Sequence, residues 1–163
     1  MSGNRSMSQG VLTGLAAGAA GTTALNAVTY LDMVVRARPA STTPEDTVRK
    51  TEQLTGVRLS KKGPDSDDSN NRRSALGALI GIAAGVCIGA VYGFVRPKLG
   101  HAPLVLLGVG AGLAANVGTT APMVALGITD PRTWPVDSWV SDLVPHLAYG
   151  MVTAAVWNLM QPA

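Results

Sequence analysis

Asp142 and His146 stand four residues apart, and Tyr149 follows three further on. On a helix these side chains share one face, so a carboxylate lies one turn from an imidazole and can hold its tautomer or raise its basicity. That is the skeleton of an acid–base site, but neither a nucleophile nor a third ligand accompanies it. The alternative reading is a capping pair at the membrane boundary, where the fourth apolar run begins. The only other histidine, His101, is expected on the opposite face of the membrane, so a His-based metal site is not expected. Cys87 is the single cysteine, which excludes a disulfide framework and a CxxC pair; it reads as a small buried apolar residue. No P-loop, HExxH or GxSxG occurs. Gly108-Val-Gly110-Ala-Gly112 imitates a phosphate loop but lies inside an apolar run without a preceding strand. The expectation is a chain that is not an enzyme and carries no cofactor.

Other polar residues interrupt long apolar runs. Asn26, Asn116 and Asn158 would be poorly tolerated by lipid, so each is expected to bond across to another helix or to line a polar cavity. Asp32 falls in the last turn of the first run, where it can reach water or an arginine of the 36–38 segment; an intramembrane proton relay is the sharper alternative.

The elements that must position these residues are helices. Charged residues make up 14% of the 163-residue chain, against roughly 25% in soluble proteins. With 19 glycines and one phenylalanine, the chain is short of the large side chains that fill an aqueous globule's core. Four apolar runs, at about 10–35, 74–95, 102–128 and 142–160, predict four transmembrane helices in one membrane domain. The first continues for about 26 residues, roughly 39 Å as a helix, longer than a signal-peptide core and enough for the ~30 Å hydrocarbon layer. A retained helix is therefore expected over a cleaved leader. Arg96-Pro97 closes the second run, and Ser141 or Asp142 is the expected N-cap of the fourth. Between the first two runs, residues 36–73 are polar. Thr43-Pro-Glu-Asp and Gly56 bound a short helix over about 44–55, and SKKGPDSDDSNNRR reads as a flexible segment.

Gly77, Gly81, Gly85, Gly89 and Gly93 occupy every fourth position of the second run. Such a row turns a helix ridge into a groove that another backbone can enter. The occupant is either a helix of this chain or a helix of a partner, and in the second case the row is the functional site. Spacing-four rows of small residues also mark the other runs, so the expected architecture is an all-α, compact Gly/Ala-rich bundle. The first and third runs echo one another, GLAAGAAGTTA at 14–24 against GLAANVGTTA at 112–121. The echo reads either as two repeated helical hairpins in parallel orientation or as coincidence in Gly/Ala-rich sequence.

Of 13 Lys and Arg, nine lie between Arg36 and Arg73, and Arg132 shares their side of the membrane. The positive-inside rule puts these ten in the cytoplasm and both termini outside, leaving Arg96 and Lys98 on the less basic side. Trp134 and Trp139 read as interfacial anchors. The basic stretch contains no aromatic residue to stack a base, so nucleic acid is not an expected partner.

The segment NAVTYLDMVVRARPASTTPEDTV, residues 26–48, resembles a group of small uncharacterised membrane proteins of actinobacteria, and the Arg-over-Lys, Ala/Gly/Val-rich composition fits. The resemblance implies a bacterial plasma-membrane location and no activity. The functional expectation is a non-enzymatic accessory or stabilising subunit of a larger membrane assembly, such as a lipid or solute transporter or a respiratory complex. Its partners would be the bilayer and other subunits or a second copy. The alternative is a small homo-oligomeric channel or carrier; a membrane enzyme using Asp142 and His146 is third.

Overall fold

The structure, a computed structural model, describes residues 2–160. It is all-helical, with five α-helices: α1 (Ser2–Arg36), α2 (Thr43–Thr55), α3 (Asp67–Val95), α4 (Leu104–Ala125) and α5 (Val136–Leu159). Short 3₁₀ turns at Arg96–Leu99 and Pro131–Thr133 lie in the last two connections. Three helical segments are long and apolar enough to cross a membrane: Met7–Arg36, Asp67–Leu99 and Leu104–Ala125. The fourth expected span falls within α5, which is 24 residues long but is not among the three. Asp137, Asp142, His146 and Asn158 dilute its apolar character.

Helix boundaries differ from the apolar runs where polar residues propagate a helix. α3 opens at Asp67, not near residue 74, because Ser66 Oγ accepts the Ser69 N–H and two aspartates occupy the first turn. The end of the segment expected to be flexible is therefore helix. α5 begins at Val136, a turn and a half before the expected cap, with Asp137 in its first turn. Ser141 and Asp142 are thereby interior residues whose side chains are free for other work. In α2 the first-turn Pro44 and acids and the left-handed Gly56 (φ 73°) fall where the sequence placed them, and the Gly56 N–H donates to Glu52 O.

The helices pack antiparallel in the spatial order α3–α1–α5–α4, while α3 and α4 scarcely touch. Glycine makes these pairings close. A Cβ placed on Gly18 would lie 2.8 Å from Gly89 Cα, and one on Gly93 would lie 2.8 Å from Gly14 Cα. Across α4–α5, a Cβ on Gly150 would lie 2.6 Å from Gly112 Cα. Real Cβ atoms do not approach so closely, so these backbones touch only because no side chain intervenes. α1 therefore occupies the glycine groove of α3 from Gly85 to Gly93, with Thr22 against Gly85. Pro44 of α2 covers Gly77, and Gly81 has no neighbour within 4 Å of its Cβ position.

α2 is fixed to the polar start of α3 by an ion pair. Arg73, 5% exposed, holds Glu52 Oε2 at 2.6 Å, and the Leu59 N–H donates to Glu52 Oε1 at 3.0 Å. Val48 is buried beside them. The outer faces of the long helices stay apolar: Leu79, Ile80, Ile82, Val91, Leu106 and Val117 are all exposed.

Candidate functional site

Four polar residues, two from α4 and two from α5, meet at the seam between those helices. Asn116 is buried on α4, and its Nδ2 donates to the Asp142 carboxylate of α5. One turn along α5, His146 Nδ1 lies 2.7 Å from the Asp142 backbone carbonyl and 3.6 Å from Asp142 Oδ1. A carbonyl oxygen only accepts, so the 2.7 Å contact assigns the proton to Nδ1 over the longer, 3.4 Å approach of the Asn116 Nδ2 donor to the same nitrogen. The other ring nitrogen, Nε2, lies 3.3 Å from Thr119 Oγ1, whose hydroxyl also stands 3.0 Å from Ala115 O.

Helix geometry explains why these four groups meet. Asn116 and Thr119 are three residues apart on α4, and Asp142 and His146 four apart on α5, so each pair presents one face. The Gly112–Gly150 contact brings the two backbones together one turn further on, within reach of short polar side chains. The cluster is sunk into the helices: Thr119 is about 9 Å from the end of α4 and His146 about 15 Å from the start of α5.

A second cluster adjoins it at the α1–α5 contact. Asp32 receives Arg36 Nε at 2.6 Å, Arg36 Nη2 at 2.7 Å and Arg38 Nε at 2.5 Å. Arg36 also donates to Ser141 Oγ, which lies 3.5 Å from Asp32 Oδ2. Ser141 precedes Asp142, so the two clusters meet there.

The remaining candidates lie elsewhere. Asn158 is exposed near the end of α5, with Arg96 Nη2 3.5 Å from its Oδ1 and the Arg96 guanidinium 5.1 Å over the Trp157 ring. That is the opposite end of the helices from Asp32. Asn26 is half-buried on α1. Tyr149, 1% exposed, turns away from His146 and donates its hydroxyl to Gly85 O of α3 at 2.7 Å. His101 is exposed beyond the 3₁₀ turn, and Cys87 is exposed on α3 rather than buried. Trp134 and Trp139 pack edge to face with centroids 5.3 Å apart. Among the described residues no group of three or more His, Cys, Asp or Glu side chains could hold a metal ion.

Outside the apolar segments, two carboxylates are shifted. Hydrogen bonds from Arg73, then from the Leu59 N–H, hold Glu52 below the usual carboxylate range against the opposing effect of burial. Arg132 does the same for Asp130 through its side chain and its N–H.

Sequence reasoning had paired Asp142 with His146 and named Asn116 separately. It missed Thr119 and Ser141, although Thr119 at Asn116+3 already shared that helix face. It also missed Glu52–Arg73, which no spacing rule connects across 21 residues. No family model, curated protein or solved structure matches this chain.

Proposed function

We propose that this chain is a four-span, non-enzymatic protein of a bacterial plasma membrane that serves as an accessory subunit of a larger membrane assembly. A lipid or solute transporter or a respiratory complex is a suitable host. α5 supplies the fourth span in this reading. It runs beside α1 and α4, both apolar enough to cross, and its Asp142 and His146 are turned onto α4 partners rather than outward. Residues 36–73, with α2, belong in the cytoplasm on the charge balance, and the termini outside. The echo between α1 and α4 is supported by both being the glycine-bearing first member of an antiparallel pair, α1 with α3 and α4 with α5.

The observation that carries the reading is Gly81. Every other glycine of the row is covered from within the chain, whereas Gly81 lies open between the exposed Leu79, Ile80 and Ile82. A partner helix approaching there would find a notch in an apolar face, the contact that association in lipid favours. The test is native purification followed by mass spectrometry, on wild type and Gly81→Leu. The substitution meets nothing inside the chain, so the fold is retained while the co-purifying subunit is lost. A lone monomer from wild-type membranes sinks the proposal.

A second reading, a small homo-oligomeric channel or carrier, is favoured by the convergence of Asn116, Thr119, Asp142 and His146 at depth. Asn158 stands apart from that cluster, and Asp32, which adjoins it through Ser141, is tied up by Arg36 and Arg38. Flux into proteoliposomes, abolished by Asn116→Leu, is its signature; no flux, or flux indifferent to the change, rejects it.

A further inference from the structure

We infer that His146 is a proton-binding site open to one face of the membrane only. The inference takes from the preceding section that α4 and α5 lie in a bilayer, and needs neither a partner nor a pore.

His146 can take up a proton with no heavy atom moving. In the neutral ring, Nδ1–H donates to Asp142 O and Nε2 accepts the Thr119 hydroxyl hydrogen. When a proton from water adds to the Nε2 lone pair, the Thr119 hydroxyl rotates. Its hydrogen goes to Ala115 O, 3.0 Å away, and its oxygen accepts the new Nε2–H. Both forms are thus fully hydrogen-bonded. The new positive charge stands beside the Asp142 carboxylate, which Asn116 steadies. An ionisable group at such depth is costly without a partner and marks function when it has one.

The surroundings decide from which side the proton comes. From α4 the ring is faced by neutral Asn116 and Thr119; from α5 by Asp142, since the Tyr149 hydroxyl is committed to Gly85 of α3. From α1 and the residues that follow it, Asp32, Arg36 and Arg38 gather about Ser141. Polar groups therefore run from the α1 C-terminus through Ser141 and Asp142 to His146 and Thr119. Beyond His146 the seam is shut. A Cβ on Gly112 would lie 2.6 Å from His146 O and 3.0 Å from Leu147 Cα, and a Cβ on Gly21 2.8 Å from Tyr149 O. Backbones that close leave no room for water between them at these two contacts.

The experiment uses the full chain with His101→Gln, which leaves one histidine, labelled with ¹⁵N-histidine in phospholipid nanodiscs. The ring ¹⁵N shifts should report an Nδ1–H neutral form that becomes doubly protonated on acidification while helicity by circular dichroism is unchanged. Thr119→Val should weaken that proton uptake about tenfold, the difference expected between a hydrogen bond to the charged ring and one to the neutral ring. An Nε2–H neutral form, or a ring that stays neutral until the helices unfold, overturns the site. In proteoliposomes carrying an internal pH dye, proton flux should equal that of empty vesicles. Flux present in wild type and absent in His146→Asn overturns the closed end and supports the channel reading instead.

Discussion

Gly18 of α1 and Gly89 of α3 meet backbone to backbone, with Gly18 Cα and N and Gly14 O filling the space that a side chain on Gly89 would need. Gly89→Ala gains about 1 kcal/mol of helix propensity but must push apart two backbones that cannot yield locally, an overpacking cost of about 1–3 kcal/mol. Net destabilisation is expected. Gly81→Ala gains the same propensity and meets nothing, so it should stabilise by up to about 1 kcal/mol. Circular dichroism during denaturation from detergent micelles ranks the two. Equal effects would mean that α1 does not lie in this groove.

Glu52 and Arg73 make the docking of α2 depend on pH. The folded Glu52 carboxyl is held below its ordinary value, chiefly by the Arg73 hydrogen bond. The folded state therefore binds this proton less readily than the unfolded state. The stabilisation is present above the unfolded value, about 4.3, and disappears as pH falls through the lower folded value. Amide exchange across residues 43–55 should accelerate below about pH 4, whereas α1 and α3 stay protected. Glu52→Gln should show faster exchange at neutral pH, by about tenfold for one hydrogen bond to a charged group, and lose the acid dependence. Unchanged exchange in that variant would detach α2 from the ion pair.

Tyr149 joins α5 to α3 past α1 by donating to the Gly85 carbonyl at 2.7 Å. Tyr149→Phe keeps the buried ring and removes only this bond, so a loss of about 1 kcal/mol is expected. Tyr149→Ala removes the ring from a fully buried position and should cost about 3–5 kcal/mol. Thermal unfolding in detergent separates these, and a neutral Phe variant would show that the hydroxyl bond does not hold the helices.

Helical class, three of the four expected spans and the α2 boundaries were legible because apolar run length, Pro44 and Gly56 act locally. The helical start of α3 was not, since Asp67–Arg73 carries no apolar period and owes its order to Ser66 and to Glu52 on another helix. The glycine row announced a groove but not its occupant, because shape alone does not distinguish α1 from a foreign helix. Asp142 and His146 were legible as a pair through their spacing. Their depth was not: α5 starts at Val136, and only the Asn116 contact shows that they face the interior of the α4–α5 seam.

Cys87 offers the most direct check on the membrane itself. It is the only cysteine, it is exposed on α3, and it sits 20 residues past Asp67 within the span Asp67–Leu99. In water, an exposed thiol would react with a maleimide that carries a charge. In a bilayer the same position faces hydrocarbon, which such a reagent does not enter. Cys87 should therefore stay unlabelled in intact membrane vesicles and label fully once the chain is dissolved in dodecyl sulfate. In a Cys87→Ala background, Gln53→Cys places a thiol on the exposed face of α2, where labelling should be rapid from the side of the membrane that holds α2. Rapid labelling of Cys87 in intact vesicles would take α3 out of the bilayer, and with it the lipid-facing assignment of Leu79, Ile80 and Val91.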